Sequence, residues 1–478
     1  SNQSGCDRVH NGNLETLGQV NPLMVVSLIN AMPKTVRLTA ALSIVLLTLV
    51  AGCSGQSDSS QPSAKETQSA TKPGNPVEVA KKPDGPLTVP PNNPIPATQQ
   101  TVQQYVNGLA AKGFAKKSQG VWIQAGNTLL ANHQGTVPLP AASLTKVATS
   151  LAALSTFSPD HQFITLIGTT GTIQNGVLKG DLVIQGGEDP FFVWEEAIAL
   201  GNLLNQKGIK QVRGNLVITG KFYMNFEFDP LKSGNLLKQA LNAQAWSAEA
   251  QTQYKTLPPG TPQPQVAIAG SVQVKPSTPS NVQPLVRHYS FPLAELLKKM
   301  NQYSNNAIAE MVANATGGPK VVALKAAQVA GVPQSEIFLV NGSGLSELNS
   351  ISPRAVCAMF LAIERYLQPY NMTVGDMFAI VGQDKGILEE RQIPRLAVVK
   401  SGSLDAVSAL AGALPTQQQG TIWFVMMNGG NNLEGFRAQQ ELLLKGLVNQ
   451  WGAVQSLPTE LTPNPARTSK TSRNEIMN

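Results

Sequence analysis

The spacing of apolar residues along this chain changes several times between a helical period and a strand period. Apolar positions recur at helical spacing over residues 102–112, after Ser143, and again over residues 292–315 and 433–451. Between about residues 163 and 286, short apolar runs are punctuated by glycine, which is typical of strands and turns. The pattern therefore predicts a mixture of helices and strands, with one strand-rich region inside the chain.

Composition divides the chain further. Residues 53–97 and residues 455–478 are rich in polar residues and proline and hold few large apolar side chains. Such segments cannot bury enough apolar surface to fold, so we predict a flexible tether and a disordered tail. We assign residues 98–162 and 287–454 to one domain and residues 163–286 to an inserted domain.

Residues 1–52 are predicted to contain an upstream segment followed by a lipoprotein signal peptide. A short basic region at residues 32–37 precedes an apolar stretch at residues 38–50, which is too short to span a bilayer comfortably. The motif Val50-Ala-Gly-Cys53 resembles the lipobox of bacterial lipoproteins, which implies lipidation of Cys53. A chance cysteine after an ordinary signal peptide is the alternative. We expect export to the cell envelope or periplasm, with a lipid anchor in the membrane.

Charge and side-chain chemistry argue against several functional classes. The formal net charge of +7 is modest and spread along the chain, so we expect no nucleic-acid partner. The four histidines are isolated in the sequence, and we therefore expect no metal site and no cofactor. With Cys6 removed and Cys53 lipidated, Cys357 has no disulfide partner and is expected to be a small core residue.

The unit Ser143-Leu-Thr-Lys146 carries the main candidate chemistry. Its spacing puts a hydroxyl and an amine one helical turn apart, where an amine of depressed pKa can deprotonate the serine. A second copy, Ser69-Ala-Thr-Lys72, lies in a stretch without apolar periodicity, so nothing there would fix the geometry. A helix beginning near Ser143 would also present backbone N–H groups to an oxyanion.

Two further units strengthen this signal. Ser304-Asn-Asn306 precedes a helical run, and Lys400-Ser-Gly402 ends a run that predicts a buried strand. The order Ser-x-x-Lys, Ser-x-Asn, Lys-[Ser/Thr]-Gly is the signature of β-lactamases and penicillin-binding proteins. The triplets at Lys232-Ser-Gly234 and Ser472-Arg-Asn474 lack the right order or context. A simpler interpretation of Ser304 is a helix N-cap, with Asn306 in the first turn.

Longer segments extend the resemblance. Residues 180–190 resemble the GDL…GGGDP segment of one family, residues 341–346 its DGSGLS segment, and residues 400–412 its KTGTL…VSALAG strand pair. From about Thr98 to Gly452 the chain resembles a D-alanyl-D-alanine carboxypeptidase/endopeptidase, a class C low-molecular-mass penicillin-binding protein. The resemblance implies an α+β fold of the β-lactamase/transpeptidase type, in which helices flank an antiparallel sheet and a strand-rich domain is inserted.

The resemblance also implies catalytic roles. Ser143 would attack the penultimate D-Ala carbonyl and form an acyl-enzyme, with Lys146 as the base. Ser304 and Asn306 would hydrogen-bond Lys146 and the substrate, and Lys400 would add positive potential. The implied activity is that of a serine D,D-peptidase acting on peptidoglycan stem peptides, with β-lactams as inhibitors that mimic D-Ala-D-Ala.

Substrate-binding roles follow from the same resemblance. Ser401, which replaces the family's threonine and keeps its hydroxyl, would bind the terminal carboxylate next to Gly402. The backbone N–H groups of Ser143 and Ser403 would form the oxyanion hole. Asp189 is a candidate substrate contact, although a turn is the simpler interpretation of Asp-Pro.

Two other functions remain open at this point. A β-lactamase of the same fold would need fast deacylation, and no convincing Glu-x-x-Asn lies near the site. An envelope lipoprotein that only binds peptidoglycan would not need the complete set of catalytic residues. The sequence does not separate carboxypeptidase from endopeptidase action, because both cut a D,D-bond and differ in how the cleft admits the leaving group.

Overall fold

The structure is a computed structural model that describes residues 87–467 and 469–477. The predicted signal peptide, Cys53 and most of the predicted tether lie outside these residues. No helix in the described part of the chain combines the length and the apolar character that crossing a bilayer requires. The α-helices of the described residues are α1 (Pro96–Ala111), α2 (Thr145–Phe157), α3 (Trp194–Gln206), α4 (Pro230–Ala240), α5 (Ala248–Tyr254), α6 (Leu293–Gln302), α7 (Asn306–Thr316), α8 (Pro319–Ala330), α9 (Pro353–Leu367) and α10 (Leu433–Trp451).

The strands form four sheets in the described residues. In chain order the strands are β1 (Gln119–Ala125), β2 (Thr128–His133), β3 (Leu139–Pro140), β4 (Ile164–Thr169), β5 (Ile173–Gln174), β6 (Val177–Leu178), β7 (Leu182–Gly187), β8 (Gln211–Val212), β9 (Leu216–Lys221), β10 (Ala267–Ile268), β11 (Val272–Val274), β12 (Gln283–Tyr289), β13 (Ile337–Phe338), β14 (Ser350–Ile351), β15 (Ala379–Ile380), β16 (Val398–Leu404), β17 (Val407–Thr416), β18 (Gly420–Gly429) and β19 (Arg473–Ile476).

The central sheet is antiparallel and has the strand order β15-β16-β17-β18-β1-β2. Its middle strands are buried on both faces, which explains why they consist almost entirely of apolar residues. Phe424 lies in the core on one face with Val121, whereas its neighbour Val425 lies in the core on the other face with Trp122. This alternation follows from the two-residue period of a strand.

Helices cover both faces of this sheet. Side chains of α1 and α10 pack on one face, where Val102 and Leu444 belong to the same buried cluster as Phe424. Side chains of α2 and α9 pack on the opposite face, where Leu151 and Phe360 join Val425. The predicted arrangement of helices around one antiparallel sheet is therefore present, and it buries the residues of α2 from Thr145 to Leu154.

A second hydrophobic cluster runs from Ile167 to Val286, within the predicted insertion at residues 163–286. Its main sheet has the order β11-β9-β7-β4-β12-β19. Strands β7 and β9 are parallel neighbours, so the chain must cross over between them, and α3 lies in that crossover. The region also contains α4 and α5, so it holds more helix than its glycine-punctuated pattern indicates.

The tail is ordered, so the prediction of disorder over residues 455–478 is wrong for the described residues. Strand β19 extends the second sheet, with Ile476 opposite Val286 on β12. Leu461 is fully buried, and Arg467 contacts Asp160 at 2.7 Å and Glu295 at 3.2 Å. Backbone pairing and charge pairs hold this segment, and composition does not reveal either of them.

The predicted tether, residues 53–97, is too long at its C-terminal end. Val89 is buried in the main core, and the Pro91 carbonyl accepts a hydrogen bond from Asn132 Nδ2 at 2.9 Å. Helix α1 then begins at Pro96, a residue whose fixed φ suits the first turn of a helix. Few side chains are needed to dock an extended segment, which is why its polar composition was misleading.

Replacing Arg467 by alanine should lower the free energy of unfolding by about 2 kcal/mol, because the partly buried carboxylate of Glu295 loses its partner. The matched control is Lys470→Ala, which removes a more exposed cation from Asp160 and should change stability by no more than about 0.5 kcal/mol. Urea unfolding measures both variants. Equal effects of the two substitutions would contradict the docking role of Arg467.

Candidate active site

Ser143 and Lys146 lie side by side at the start of α2. A short 3₁₀ turn over Ala142–Leu144 carries Ser143 into the helix, so the side chains share one helix face. Lys146 Nζ lies 2.9 Å from Ser143 Oγ, and it donates to Asn306 Oδ1 at 2.8 Å and to the Ser343 carbonyl at 2.7 Å. The predicted pair is therefore in direct contact, and two further acceptors fix the amine.

Ser304 and Lys400 form a second pair. Lys400 Nζ donates to Ser304 Oγ at 3.1 Å and to the Ser401 carbonyl at 2.6 Å. The N-cap of α7 is Asn305, whose side chain accepts from the Ile308 N–H, so the interpretation of Ser304 as the N-cap is wrong. Ser304 instead has a positive φ of 52°, a strained conformation, and its hydroxyl accepts from Lys400.

Burial lowers the pKa of both lysine amines. Lys146 is fully buried; its pKa is lowered well below the usual lysine value by burial first and by the charge of Lys400 second. Burial alone lowers the pKa of Lys400 to about 7. A neutral Lys146 amine can accept the proton of Ser143. Lys400 is protonated in only part of the molecules at neutral pH, so its positive potential depends on pH.

Close backbone approach joins β16 to the turn that carries Ser143. A Cβ atom at Gly402 would lie 2.8 Å from the Ser143 nitrogen, so only glycine lets the strand come this near. A Cβ atom at Gly344, which has a φ of +89°, would lie 1.8 Å from the Ala142 carbonyl. Both glycines are therefore required by the packing around Ser143.

The side chains of the three motifs meet at one cavity of about 400 Å³. Lys146 and Lys400 are not exposed in it; they lie beneath its floor. The motif residues that line the cavity are Ser143, Ser304, Asn306, Ser401, Gly402 and Ser403.

Comparison with known proteins places this site in a family. The model of the D-Ala-D-Ala carboxypeptidase 3 (S13) family matches residues 102–225 and 234–445 of the chain. The chain belongs to this family. The predicted family and the predicted class of enzyme, a serine-type D-Ala-D-Ala carboxypeptidase, are thereby confirmed.

The chain is also similar to individual proteins. It is 24% identical over 401 residues to the D-alanyl-D-alanine carboxypeptidase DacB of Haemophilus influenzae, covering 64% of this chain and 83% of that protein. Penicillin binding protein 4 of the same organism has a TM-score of 0.55 at 22% identity, with 72% of this chain and 98% of that chain covered. A predatory endopeptidase from Bdellovibrio bacteriovorus, solved with its immunity protein, has a TM-score of 0.60 at 20% identity, with 74% and 99% covered. These likenesses confirm the predicted α+β fold with its inserted domain.

Asp189 lies outside the cavity of this S13 enzyme. Its Oδ1 accepts from the Phe191 N–H at 2.9 Å, as in the turn interpretation, and its Oδ2 lies 3.3 Å from His288 Nε2. Glu196 Oε2 lies 3.8 Å from the same nitrogen, so His288 contacts two carboxylates that the sequence pattern did not indicate. Burial lowers the pKa of His288, but the two carboxylates outweigh burial and raise it overall. Within the described residues, no group of three or more His, Cys, Asp or Glu side chains is arranged so that it could hold a metal ion.

Sequence reasoning missed Glu310, which organises the loop at residues 341–346. Its carboxylate accepts from the N–H groups of Gly342 at 3.1 Å and Ser343 at 2.9 Å, and the Ser343 carbonyl in turn accepts from Lys146. Glu310 follows Asn306 by four positions on α7, so the two share one helix face. An acidic residue at that spacing from the Ser-x-Asn unit was the available signal.

Replacing Glu310 by glutamine removes a negative charge that raises the pKa of Lys146. The pKa of Lys146 should then fall further, so the neutral amine exists at lower pH and the acid limb of acylation moves to lower pH. The rate of acylation by benzylpenicillin, measured across pH, tests this shift.

Glu347→Gln is the matched control, because it removes an exposed carboxylate just beyond the same loop. Its pH profile should match that of the unsubstituted enzyme. An unmoved acid limb in Glu310→Gln, or a limb moved to higher pH, would contradict the electrostatic role of Glu310.

Proposed function

We propose that this enzyme hydrolyses the D-Ala-D-Ala bond of peptidoglycan stem peptides, or their D,D-crosslinks, through an acyl-enzyme on Ser143. The observation that carries the proposal is the 2.9 Å contact between Ser143 Oγ and the fully buried Lys146 amine. A serine hydroxyl is a weak nucleophile until a neighbouring base takes its proton, and burial lowers the pKa of this amine, which favours its uncharged, proton-accepting form.

Acylation uses the contacts around Lys146. Ser143 Oγ forms a bond to the penultimate D-Ala carbonyl carbon, and its proton passes to Lys146 Nζ. The carbon–nitrogen bond then breaks, and the leaving amine receives a proton through Lys146 and Ser304. Asn306, which accepts from Lys146 at 2.8 Å, holds the amine in position for this proton transfer.

In deacylation, water is the nucleophile and Ser143 is the leaving group. Water attacks the ester carbon, its proton passes to the Lys146 amine, and the carbon–oxygen bond to Ser143 breaks as Ser143 Oγ regains a proton. The N–H groups of Ser143 and Ser403 would stabilise the oxyanion in both steps, at roughly 3–4 kcal/mol for each donor. The close approach of Gly402 to the Ser143 nitrogen supports this pairing of strand and turn.

β-Lactams should acylate the same serine, because they mimic D-Ala-D-Ala. A predatory endopeptidase from Bdellovibrio bacteriovorus with the same fold has been solved in a form acylated by penicillin G. In the present chain, Ser143 lines the cavity with Ser304 and Ser401, so a β-lactam would meet the hydroxyls that we assign to the substrate.

Intact mass measured over time after addition of benzylpenicillin tests the nucleophile. A stoichiometric adduct that persists for many minutes and is absent in Ser143→Ala is expected. Ser69→Ala, the serine of the second Ser-x-x-Lys copy, is the matched control and should keep the adduct. An adduct that vanishes within seconds as penicillin is consumed would indicate a β-lactamase. An adduct in Ser143→Ala, or none in the unsubstituted enzyme, would contradict the assignment.

We also propose that the enzyme is exported and anchored in the cell envelope by lipid on Cys53. The support is the basic region, the apolar stretch and the Val50-Ala-Gly-Cys53 motif, all of which lie outside the described residues. A peptidoglycan substrate is found in the envelope, so export brings the enzyme to it.

Metabolic labelling with palmitate in a bacterial host tests the anchor. The full chain should incorporate label and sediment with membranes, whereas Cys53→Ser should do neither. Cys357→Ser is the matched control, since that thiol is buried in the core and should not affect labelling. Label retained in Cys53→Ser, or absent from the full chain, would contradict lipidation.

A further inference from the structure

A buried asparagine that belongs to none of the sequence motifs lies between two segments that frame the nucleophile. Asn349 is fully buried and directly precedes β14. It lies outside the lining of the active-site cavity. The loop at residues 340–349 includes Ser343, whose carbonyl accepts from Lys146. A residue that shapes this loop therefore reaches the active site indirectly.

The side-chain amide of Asn349 is hydrogen-bonded entirely within this loop. Its Oδ1 accepts from the N–H groups of Val340 at 2.9 Å and Asn341 at 3.2 Å. Its Nδ2 donates to Asn341 Oδ1 at 2.9 Å and to the Ser346 carbonyl at 3.1 Å. An asparagine amide offers two donors and two acceptor positions, so all four are used here. The side chain therefore holds the two ends of the loop together.

The backbone of Asn349 holds the turn that carries Ser143. Its carbonyl accepts from the Ala141 N–H at 2.9 Å. Directly after it, β14 pairs with β3, the strand that leads into this turn. One residue thus contacts both segments, because its side chain fixes the loop and its main chain fixes the turn.

The loop also contacts the turn at a second point. Asn341 Oδ1, which accepts from Asn349 Nδ2, accepts from the Gly344 N–H at 2.9 Å as well. A Cβ atom at Gly344 would clash with the Ala142 carbonyl, so the two backbones touch there. Ala142 has a positive φ of 47°, and a non-glycine residue keeps such a conformation only where its surroundings hold it. The hydrogen bond between Asn349 and Asn341 therefore supports the strained residue next to the nucleophile.

The Ser343 carbonyl determines how the Lys146 amine is oriented. A neutral amine has two N–H bonds and one lone pair. The side-chain oxygen of Asn306 and the Ser343 carbonyl can only accept, so each takes one N–H bond, at 2.8 and 2.7 Å. The lone pair is then left for the hydroxyl proton of Ser143, whose oxygen is 2.9 Å away. A displaced carbonyl would free one N–H bond to turn toward Ser143, where it would donate instead of accepting.

We propose that Asn349 is a positioning residue for acylation. It fixes the Ser343 carbonyl relative to the Ser143 turn, so that the lone pair of Lys146 faces the nucleophile. This inference rests on the proposed function and deepens it, because it names the residue that sets the geometry of nucleophile and base. Asn349 acts through other residues, so its loss should slow the chemical step and leave binding unchanged.

Acylation by benzylpenicillin, followed by intact mass, tests the proposal in Asn349→Ala. The rate constant at saturating penicillin should fall about ten- to a hundredfold, the effect of misplacing a catalytic group by about 1 Å. The penicillin concentration for half-saturation should stay within about twofold, because Asn349 does not line the cavity. The final adduct should still reach one per chain, since the folded molecules keep Ser143 and Lys146.

Asn428→Ala is the matched control. Asn428 is another buried asparagine, and its partners lie outside the motifs: Tyr105, Gln119 and Gln440. Its replacement should leave the saturating rate unchanged.

Asn341→Ala removes the other side of the same hydrogen bond from a less buried position. It should also slow acylation, and the double variant should be no slower than the slower single variant, because both act through one link. If Asn349→Ala does not fold, the rate in Asn341→Ala decides.

The outcomes separate positioning from a merely structural role. An unchanged rate in Asn349→Ala would overturn the positioning role and leave the D,D-peptidase standing. The same holds for an adduct that stays below one per chain but forms at the unchanged rate, since that result reports only a loss of folded molecules. Equal slowing in Asn428→Ala, or additive losses in the double variant, would also overturn it. An unsubstituted enzyme that forms no adduct would overturn the proposed function and this inference with it.

Discussion

The buried amine of Lys146 is the interaction on which the active site depends. Its three hydrogen-bond partners come from separate parts of the chain: Ser143 from the turn before α2, Asn306 from the start of α7, and the Ser343 carbonyl from a loop. An amine that is shielded from water needs such partners, because burying a polar group without a hydrogen bond is strongly unfavourable. The site therefore forms only when all three segments are packed together, and the same burial gives the amine its lowered pKa.

Unusual backbone conformations hold these partners in place. Ala142 and Ser304 are non-glycine residues with positive φ, next to the nucleophile and within the second motif. Such strain persists only where the surrounding structure over-determines it. Here the surroundings are the core between α2, α9 and the central sheet, together with the carboxylate of Glu310 on the Ser343 loop.

A second buried polar cluster joins the insertion to the end of the chain. His288 on β12 lies between Asp189 and Glu196, and its Nδ1 lies 2.8 Å from Asn474 Oδ1 on β19. Ser472 donates to Glu196 in the same place. Charge pairs and hydrogen bonds, more than apolar packing, thus dock the tail on the inserted sheet.

The sequence alone determined the features that depend on neighbours in the chain. Helical periodicity predicted a helix over residues 433–451, which are the bounds of α10, because a helix face is built from residues three and four apart. The Ser-x-x-Lys spacing predicted the contact between Ser143 and Lys146 for the same reason. The units Ser304-Asn-Asn306 and Lys400-Ser-Gly402 were found separately, the first before a predicted helix and the second at the end of a predicted strand.

Only the tertiary structure decided how those units meet and what surrounds them. Lys146 and Asn306 are 160 positions apart, and Ser403 and Arg437 are 34 apart, so no local pattern indicates either contact. The docked tail escaped notice because strand pairing uses backbone groups that every residue carries. The lowered pKa of Lys400 follows from burial, which is a property of the whole fold. Packing, and not the motif, therefore decides how much positive charge Lys400 carries near the active site.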